Sequence, residues 1–476
     1  MELEQVLQLL DQEHQVHFFL ETARIAGVSL HERTFAEYIE PILTEMGFQV
    51  EYDGAGDKLG SESGNLIAYW PGTDPEAEPI LFSAHMDTIL DSSGCQPEIR
   101  EGVIHADGRS ILGSDDRSAI SAYIEGIRAV QASHMPCGPI ELLFTIDEQH
   151  GLCGARELDV KKIRSRNGYI FDHPGDVGQV ICRSPYWRPF NIWFRMKNGA
   201  AGGHISEKAG LSNAFDMGTE AYRNMERGYF DDHQTAVMVG ILRGGEVSSI
   251  VPGELYMRGE VRSYRREFAD RRLEQLRRAC EQAALAYHGT VDFQVESGYE
   301  GYEIDEANPA YRCFRAAAES SGVAWYPDQV LGGADTNFLR SHGINCLTLG
   351  NGYRDTHTFQ ESISVRNLEN MARMTVSMIY GENPLDKCSL GRRTGRAGNE
   401  EYRSGRSHRH GNYYRTDYVG WSVGGYYDRL LSNPVGHFRR ILGYVCGTGR
   451  PRGIWQHDCP AGGRIHLAPQ GLYNCY

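Results

Sequence analysis

Five short segments set acids and histidines at the ends of apolar runs. "SAHMDT" carries His85 and Asp87, and "LGSDDRS" carries Asp115 and Asp116. "FTIDEQHG" carries Asp147, Glu148, Gln149 and His150, "YIFDHPG" carries Asp172 and His173, and "DTHTFQE" carries His357 and Glu361. Imidazole and carboxylate together are hard-to-borderline ligands suited to Zn2+ or a similar divalent ion. In the His-x-Asp step, Asp87 stands where it can fix the tautomer of His85. Taken singly each segment is weak. An Asp-Asp pair before a helix is usually an N-cap and its neighbour, and a His-x-Asp is most often structural. His150 and His173 read as solvent-facing neighbours of ligands. It is the ordered set that is specific.

Such a set does chemistry only if the chain gathers it. "PILFSAHMD" and "GPIELLFTIDE" are short apolar runs bounded by Gly or Pro, which reads as buried strand. "DDRSAISAYIEGIRAV" between them puts Ile120, Tyr123, Ile124, Ile127 and Val130 on one helical face. "TFAEYIEPILTEMG" is a helix that Pro41 should kink or start late. Alternating strand and helix predict an α/β sheet, and strand C-termini in such a sheet feed one crevice. From about Pro185 the texture changes. "PFNIWFRMKNG", "ELYMRGEVRS" and "TVDFQVESGYEGYEID" are strands around a helix with Leu273, Leu276, Cys280 and Tyr287 inward. That suits an inserted α+β unit, ferredoxin-like in outline. The α/β texture returns with "INCLTLGNG" and a final helix ended by Gly381 and Pro384.

The predicted architecture is a catalytic domain with a mixed, largely parallel sheet flanked by helices, built from residues 1–184 and 300–382, with a smaller lid at 185–299. Residues 383–476 carry 14 Lys or Arg against six Asp or Glu, without periodicity, and are expected to be a disordered basic tail. Its Cys446, His457, Cys459, His466 and Cys475 match no regular zinc-finger spacing. The net charge of −15 argues against a general nucleic-acid or anionic-membrane binder. No signal peptide or membrane span is expected from "MELEQVLQLLDQEHQ" or the rest. Eleven cysteines without a CxxC pair suggest reduced thiols and a cytoplasmic setting.

Over roughly residues 10 to 382, the order and context of these motifs resemble the dinuclear zinc peptidase family that includes tripeptidase T, glutamate carboxypeptidase and aminoacylase. "SAHMDT" is similar to its first ligand motif. "GSDDRSA" is similar to Gly-x-Asp-Asp-Lys, with Arg117 for Lys. "GGADTNFLRSHGINCLTLGNG" followed by "HTFQE" is similar to its closing motif. "GHISEKAGLSNAF", "GGEVSSIVPGE" and "EVRS" are similar to lid segments. The double Asp and "HMDT" point to the tripeptidase-T-like branch. The resemblance implies that His85, Asp115 and Asp172 hold one metal. Asp115 would bridge to a second, completed by His357 and an acid at position 149. It implies Glu148 as general base, taking a proton from a metal-bridging water that attacks the amide carbonyl; Asp87, read from the His-x-Asp step, joins it in the catalytic set. His204 would approach the oxyanion from the lid, and Arg262 would grip a substrate carboxylate. The implied reaction is hydrolysis of an amide bond in a short peptide or N-acyl amino acid, by a possible homodimer paired through the lid.

The chain departs from the family at one ligand. The family's Thr-x-x-Glu-Glu-x-Gly is here Thr145-Ile-Asp-Glu148-Gln149-His-Gly151. The base is kept, but an amide replaces the carboxylate of the second site. An amide ligates only through a neutral carbonyl oxygen, so the second of two Zn2+ sites should be weakened, and Co2+ or Mn2+ are alternatives. Three arrangements stay open. A working enzyme would hold one metal tightly and one loosely. His150 or Asp147 would turn in to supply the ligand. Or the chain would be a catalytically impaired binding or scaffold protein on a peptidase fold.

Overall fold

The computed structural model describes residues 2–196, 203–208 and 210–382. The basic tail expected from 383 lies outside the described residues.

The apolar runs form strands as their burial requires. Ile80–His85 and Ile140–Thr145 are buried at every position. They lie at the centre of a nine-stranded sheet. Ile140–Thr145, Ile80–His85, Asn167–Phe171 and Asn345–Leu349 run parallel as successive neighbours. Leu66–Trp70 and Gln49–Tyr52 extend one side antiparallel. Gln179–Ser184 and Tyr302–Glu303 extend the other, with Tyr326–Gln329 parallel to Gln179–Ser184.

Helices cover both faces. Ser114–Ser133, Val365–Glu382, Pro309–Ser321 and Gln12–Thr22 enclose the main core with Phe82, Phe144, Tyr169 and Phe171. On the other face Ile67, Leu81, Leu143 and Ile170 pack with Leu339 from the helix Thr336–Ser341. The helix Arg33–Glu45 runs through Pro41 rather than starting after it. Burial of Phe35, Ala36, Ile39 and Leu43 holds its inner face, which offsets the backbone bond that proline cannot make.

Five strands between Tyr186 and Val295 form a separate antiparallel sheet. Its order is Gly228–Phe230, Thr235–Gly244, Glu254–Ser263, Tyr186–Met196, Gly289–Val295. The helices Ala214–Asn224 and Arg266–Ala286 pack on it around Phe190, Phe194, Met217, Met257 and Leu276. Leu273, Leu276 and Cys280 are buried as the helical stripe predicts, and Tyr287 caps the helix, partly buried. A small third sheet, Glu98–Arg100, Val103–His105, Ser362–Ser364 and Tyr353–Arg354, ties the chain around His357 to the approach to Asp115. Among the described residues no helix is long and apolar enough to cross a membrane.

Candidate metal centre

The parallel strands deliver their C-terminal ends to one side, as an open α/β sheet does. His85 closes its strand, Asp172 follows Phe171, and Glu148 lies three residues past Thr145. His85 Nε2 is 3.0 Å from Asp115 Oδ1 and 3.9 Å from both Asp172 Oδ1 and Glu148 Oε2. One ligand atom from each of His85, Asp115 and Asp172 lies within 4.8 Å of the others. The other imidazole nitrogen of His85, Nδ1, meets the Asp87 carbonyl oxygen at 2.9 Å and Asp87 Oδ1 at 3.3 Å. That contact fixes the tautomer, leaving Nε2 free to ligate.

Asp115 is the hub. Its Oδ2 lies 2.9 Å from His357 Nε2 and accepts Gln149 Nε2 at 3.1 Å. His357 has φ 64°, a left-handed position in the turn that joins the edge strand Tyr353–Arg354 of the small sheet to its inner neighbour Ser362–Ser364. The loop entering Asp115 is held by Glu361. This buried carboxylate accepts the amides of Leu112 (2.9 Å), Gly113 (3.0 Å), Ser114 (2.8 Å) and Asp115 (3.3 Å), and the Ser114 hydroxyl (2.6 Å). Sequence reasoning placed Glu361 among the candidate acids, but its oxygens are spent on this loop. Gly113 sits at φ 71°, a conformation that favours glycine. Arg117 turns away from the cluster. Its Nη1 donates to the carbonyls of Thr22 (2.6 Å) and Ile25 (2.7 Å), and its guanidinium lies over Phe35.

The electrostatics suit a cation. Burial, then repulsion from Asp172, Asp335 and Asp115, lifts the Glu148 carboxyl far above its usual range against the pull of His85. Burial and Asp115 do the same to Asp172, and burial and Asp172 to Asp116. Asp115 is held low, because His357 and His85 together outweigh its burial, and Asp87 is lowered too, its contact with His85 outweighing its burial. Asp335, buried and bonded by Thr145 Oγ1 at 2.5 Å, is pushed up to about 6 by burial. Two carboxylate oxygens, Asp116 Oδ2 and Asp335 Oδ1, are buried without a hydrogen-bond partner among the described residues. Acids this close and this dry are costly unless a positive charge joins them. The nitrogen and oxygen donors fit a divalent ion.

Residues 81–381 match the family described as Peptidase family M20/M25/M40. The chain belongs to that family. This M20 peptidase is 25% identical over 351 residues to Peptidase T of Edwardsiella ictaluri, covering 65% of this chain and 82% of that one. It is 29% identical over 371 residues to a Bacillus subtilis protein named YqjE, covering 78% and 99%. The crystal structure of aminopeptidase PepT from Bacillus cereus superposes with a TM-score of 0.71 at 30% identity, covering 79% of this chain and 99% of that one. The chain is therefore a metallopeptidase of the tripeptidase-T-like branch, with a mixed sheet and a separate lid.

The peptidase does not bring every candidate to the cluster. His150 Nδ1 pairs with Asp147 Oδ1 at 2.8 Å, so these two face one another. His173 is half-buried rather than solvent-facing, with Nδ1 2.8 Å from Gln179 Oε1. His204 is exposed on the lid and bonds Ser206, not the cluster. Arg262 lies on lid strand Glu254–Ser263. Its Nε and Nη2 donate to Glu260 (2.8 and 3.3 Å) and its Nη1 to the Leu331 carbonyl (3.1 Å). Sequence reasoning assigned no role to Tyr353, which donates to Asp172 Oδ1 at 3.2 Å, or to Asn351, which donates to Asp116 Oδ1 at 2.9 Å. It quoted Asp335 within "GGADTNF" without a role. Asp335 carried a signal there, an acid one residue beyond a Gly pair, whereas Tyr353 and Asn351 carried none.

Proposed function

We propose that the chain hydrolyses an amide bond in short peptides or N-acyl amino acids, with Glu148 as general base. The observation that carries this reading is the convergence of His85, Asp115 and Asp172 within 4.8 Å beside the Glu148 carboxylate. Those three residues would hold one divalent ion. His357 and Asp115, with the Gln149 carbonyl oxygen, would hold a second more weakly. When bound, such ions act as Lewis acids on the scissile carbonyl and supply positive charge to the developing oxyanion. Zn2+ suits the ligands best, with Co2+ or Mn2+ as alternatives.

The chain's own residues do the rest. Glu148 takes the proton of the attacking water and returns it to the leaving amine. Asp87 orients His85 and also accepts the Glu148 and Gln149 amides at 3.1 Å each, which aims the base. His204, brought down by the lid, would donate to the oxyanion, and Arg262 would take a substrate carboxylate. Residues 185–299 thus act as a lid over a catalytic body of 1–184 and 300–382, in a cytoplasmic enzyme.

The lid also supports a homodimer. Strand Thr235–Gly244 pairs with Gly228–Phe230 only through Thr235 to Val237, so beyond Val237 that edge has no neighbouring strand among the described residues. Leu242, Val247, Ile250 and Ile205 are exposed apolar residues of the lid, and such edges pair readily. Sedimentation velocity should give a dimer that Leu242→Asp shifts toward monomer. A monomer at every concentration would contradict the pairing.

One observation favours a second reading, a catalytically impaired binding or scaffold protein. The Gln149 amide donates a hydrogen bond to Asp115 where a carboxylate would face a cation. Gln149→Glu decides between the two. The enzyme reading expects the second ion to bind about tenfold or more tightly, read by calorimetry, with turnover of di- and tripeptides retained or raised. No turnover in either the parent or Gln149→Glu, with Zn2+, Co2+ or Mn2+ added, would establish the scaffold.

A further inference from the structure

The turn that carries the base is held by its backbone. Three successive amides, of Asp147, Glu148 and Gln149, all end on buried carboxylates. Asp87 takes the last two. The first goes to Glu32 Oε1 at 2.9 Å, from a residue 115 positions earlier. Glu32 is fully buried and accepts two further donors. Its Oε1 also takes the Leu30 amide at 2.8 Å, and its Oε2 takes the Ser61 hydroxyl at 2.9 Å. No salt bridge to Glu32 is formed among the described residues. Its neighbour Ser29 donates to Asp87 Oδ2 at 2.6 Å. Segment 29–32 therefore reaches the turn twice, through Ser29 and Asp87 and directly through Glu32.

The first anchor matters because of where the turn starts. Asp147 has φ 50°, in the left-handed region, and its carbonyl is tied on to the Cys153 amide at 3.0 Å. Rotation about that residue would swing Glu148 away from the cluster. Glu148 Oε2 stands 3.9 Å from His85 Nε2, and a misplacement of about 1 Å at a reacting group costs on the order of 10²-fold in rate. A buried carboxylate without a cation is an unfavourable feature by itself. Its only return here is the hydrogen bonds it accepts.

We propose that Glu32 is a positioning residue for catalysis, its Oε1 fixing the Asp147 amide and so the reach of the Glu148 carboxylate. The inference rests on the reading of Glu148 as base. Because both amide bonds end on Oε1, glutamine keeps them, whereas alanine and methionine do not. In the full-length, metal-loaded protein, Glu32→Gln should stay within about threefold of the parent. Glu32→Ala and the volume-keeping Glu32→Met should lose about 10- to 100-fold in kcat. KM and the metal content measured by elemental analysis should hold. Retention of kcat within twofold in Glu32→Met overturns the proposal. So does a loss in Glu32→Gln as large as in Glu32→Met, which would assign the effect to charge. Should Glu32→Ala fail to fold, the other two variants decide. If instead Glu148→Gln leaves turnover intact, it is the base assignment that fails. Glu32 is then read by amide hydrogen exchange at residues 147–149, where faster exchange in Glu32→Met supports the anchor and unchanged exchange overturns it.

Discussion

Replacing Glu148 by Gln should lower kcat by about 10²- to 10⁴-fold, while metal content and thermal stability stay near those of the parent. The reasoning has two parts. First, the Glu148 side chain stands beside the three candidate ligands without being bonded to any of them, 3.9 Å from His85 Nε2, so its removal takes away a proton acceptor and not a ligand. Second, burial and the repulsion of Asp172, Asp335 and Asp115 favour the neutral acid in the ion-free fold. An amide of the same shape replaces that neutral acid without breaking the Glu148 backbone bond to Asp87. Single-turnover kinetics on a tripeptide, paired with elemental analysis and a melting curve, reads all three quantities. Activity within twofold of the parent would remove Glu148 from the chemistry.

Asp115→Ala should abolish binding at both metal positions and lower activity on the order of 10³-fold or more. No other side chain in the cluster touches both histidines. Asp115 Oδ1 faces His85 and Oδ2 faces His357 and Gln149. Its loss also strips the two imidazoles of the charge that orients them. The contrast with Gln149→Glu is the informative part, since that change should strengthen one position and leave the other alone. Metal-to-protein ratios after dialysis separate the two variants. A ratio in Asp115→Ala equal to that of the parent would show that the hub is elsewhere.

The sequence carried the strands and the ligands unequally. Ile80–His85 and Ile140–Thr145 were legible because every residue is buried, so they appear as unbroken apolar runs between Gly or Pro. His85, Asp87 and Glu148 sit at or just past those runs and could be placed from them. Asp172 and His357 gained meaning only from the order of motifs, since nothing in either segment says which strand end it joins. Glu361 shows the limit of reading acids as ligands. The same composition serves a metal or a loop, and its partners, Leu112 to Asp115, lie more than 240 positions away. Glu32 was silent for the same reason, because a buried carboxylate is defined by distant amides and hydroxyls that no local spacing encodes. At Pro41 a kink or a late start was expected, and of these the late start does not occur, because burial on the inner face carries the helix through the proline. The direction of the Gln149 amide was likewise beyond a residue name, since the two ends of that group differ only by what faces them.

Anomalous diffraction at the zinc edge, from crystals of the parent protein soaked in Zn2+, tests the central claim most directly. The account predicts a peak about 2.0–2.2 Å from His85 Nε2 and from one carboxylate oxygen each of Asp115 and Asp172. A peak held by other residues, or none beside His85 at saturating metal, would contradict it.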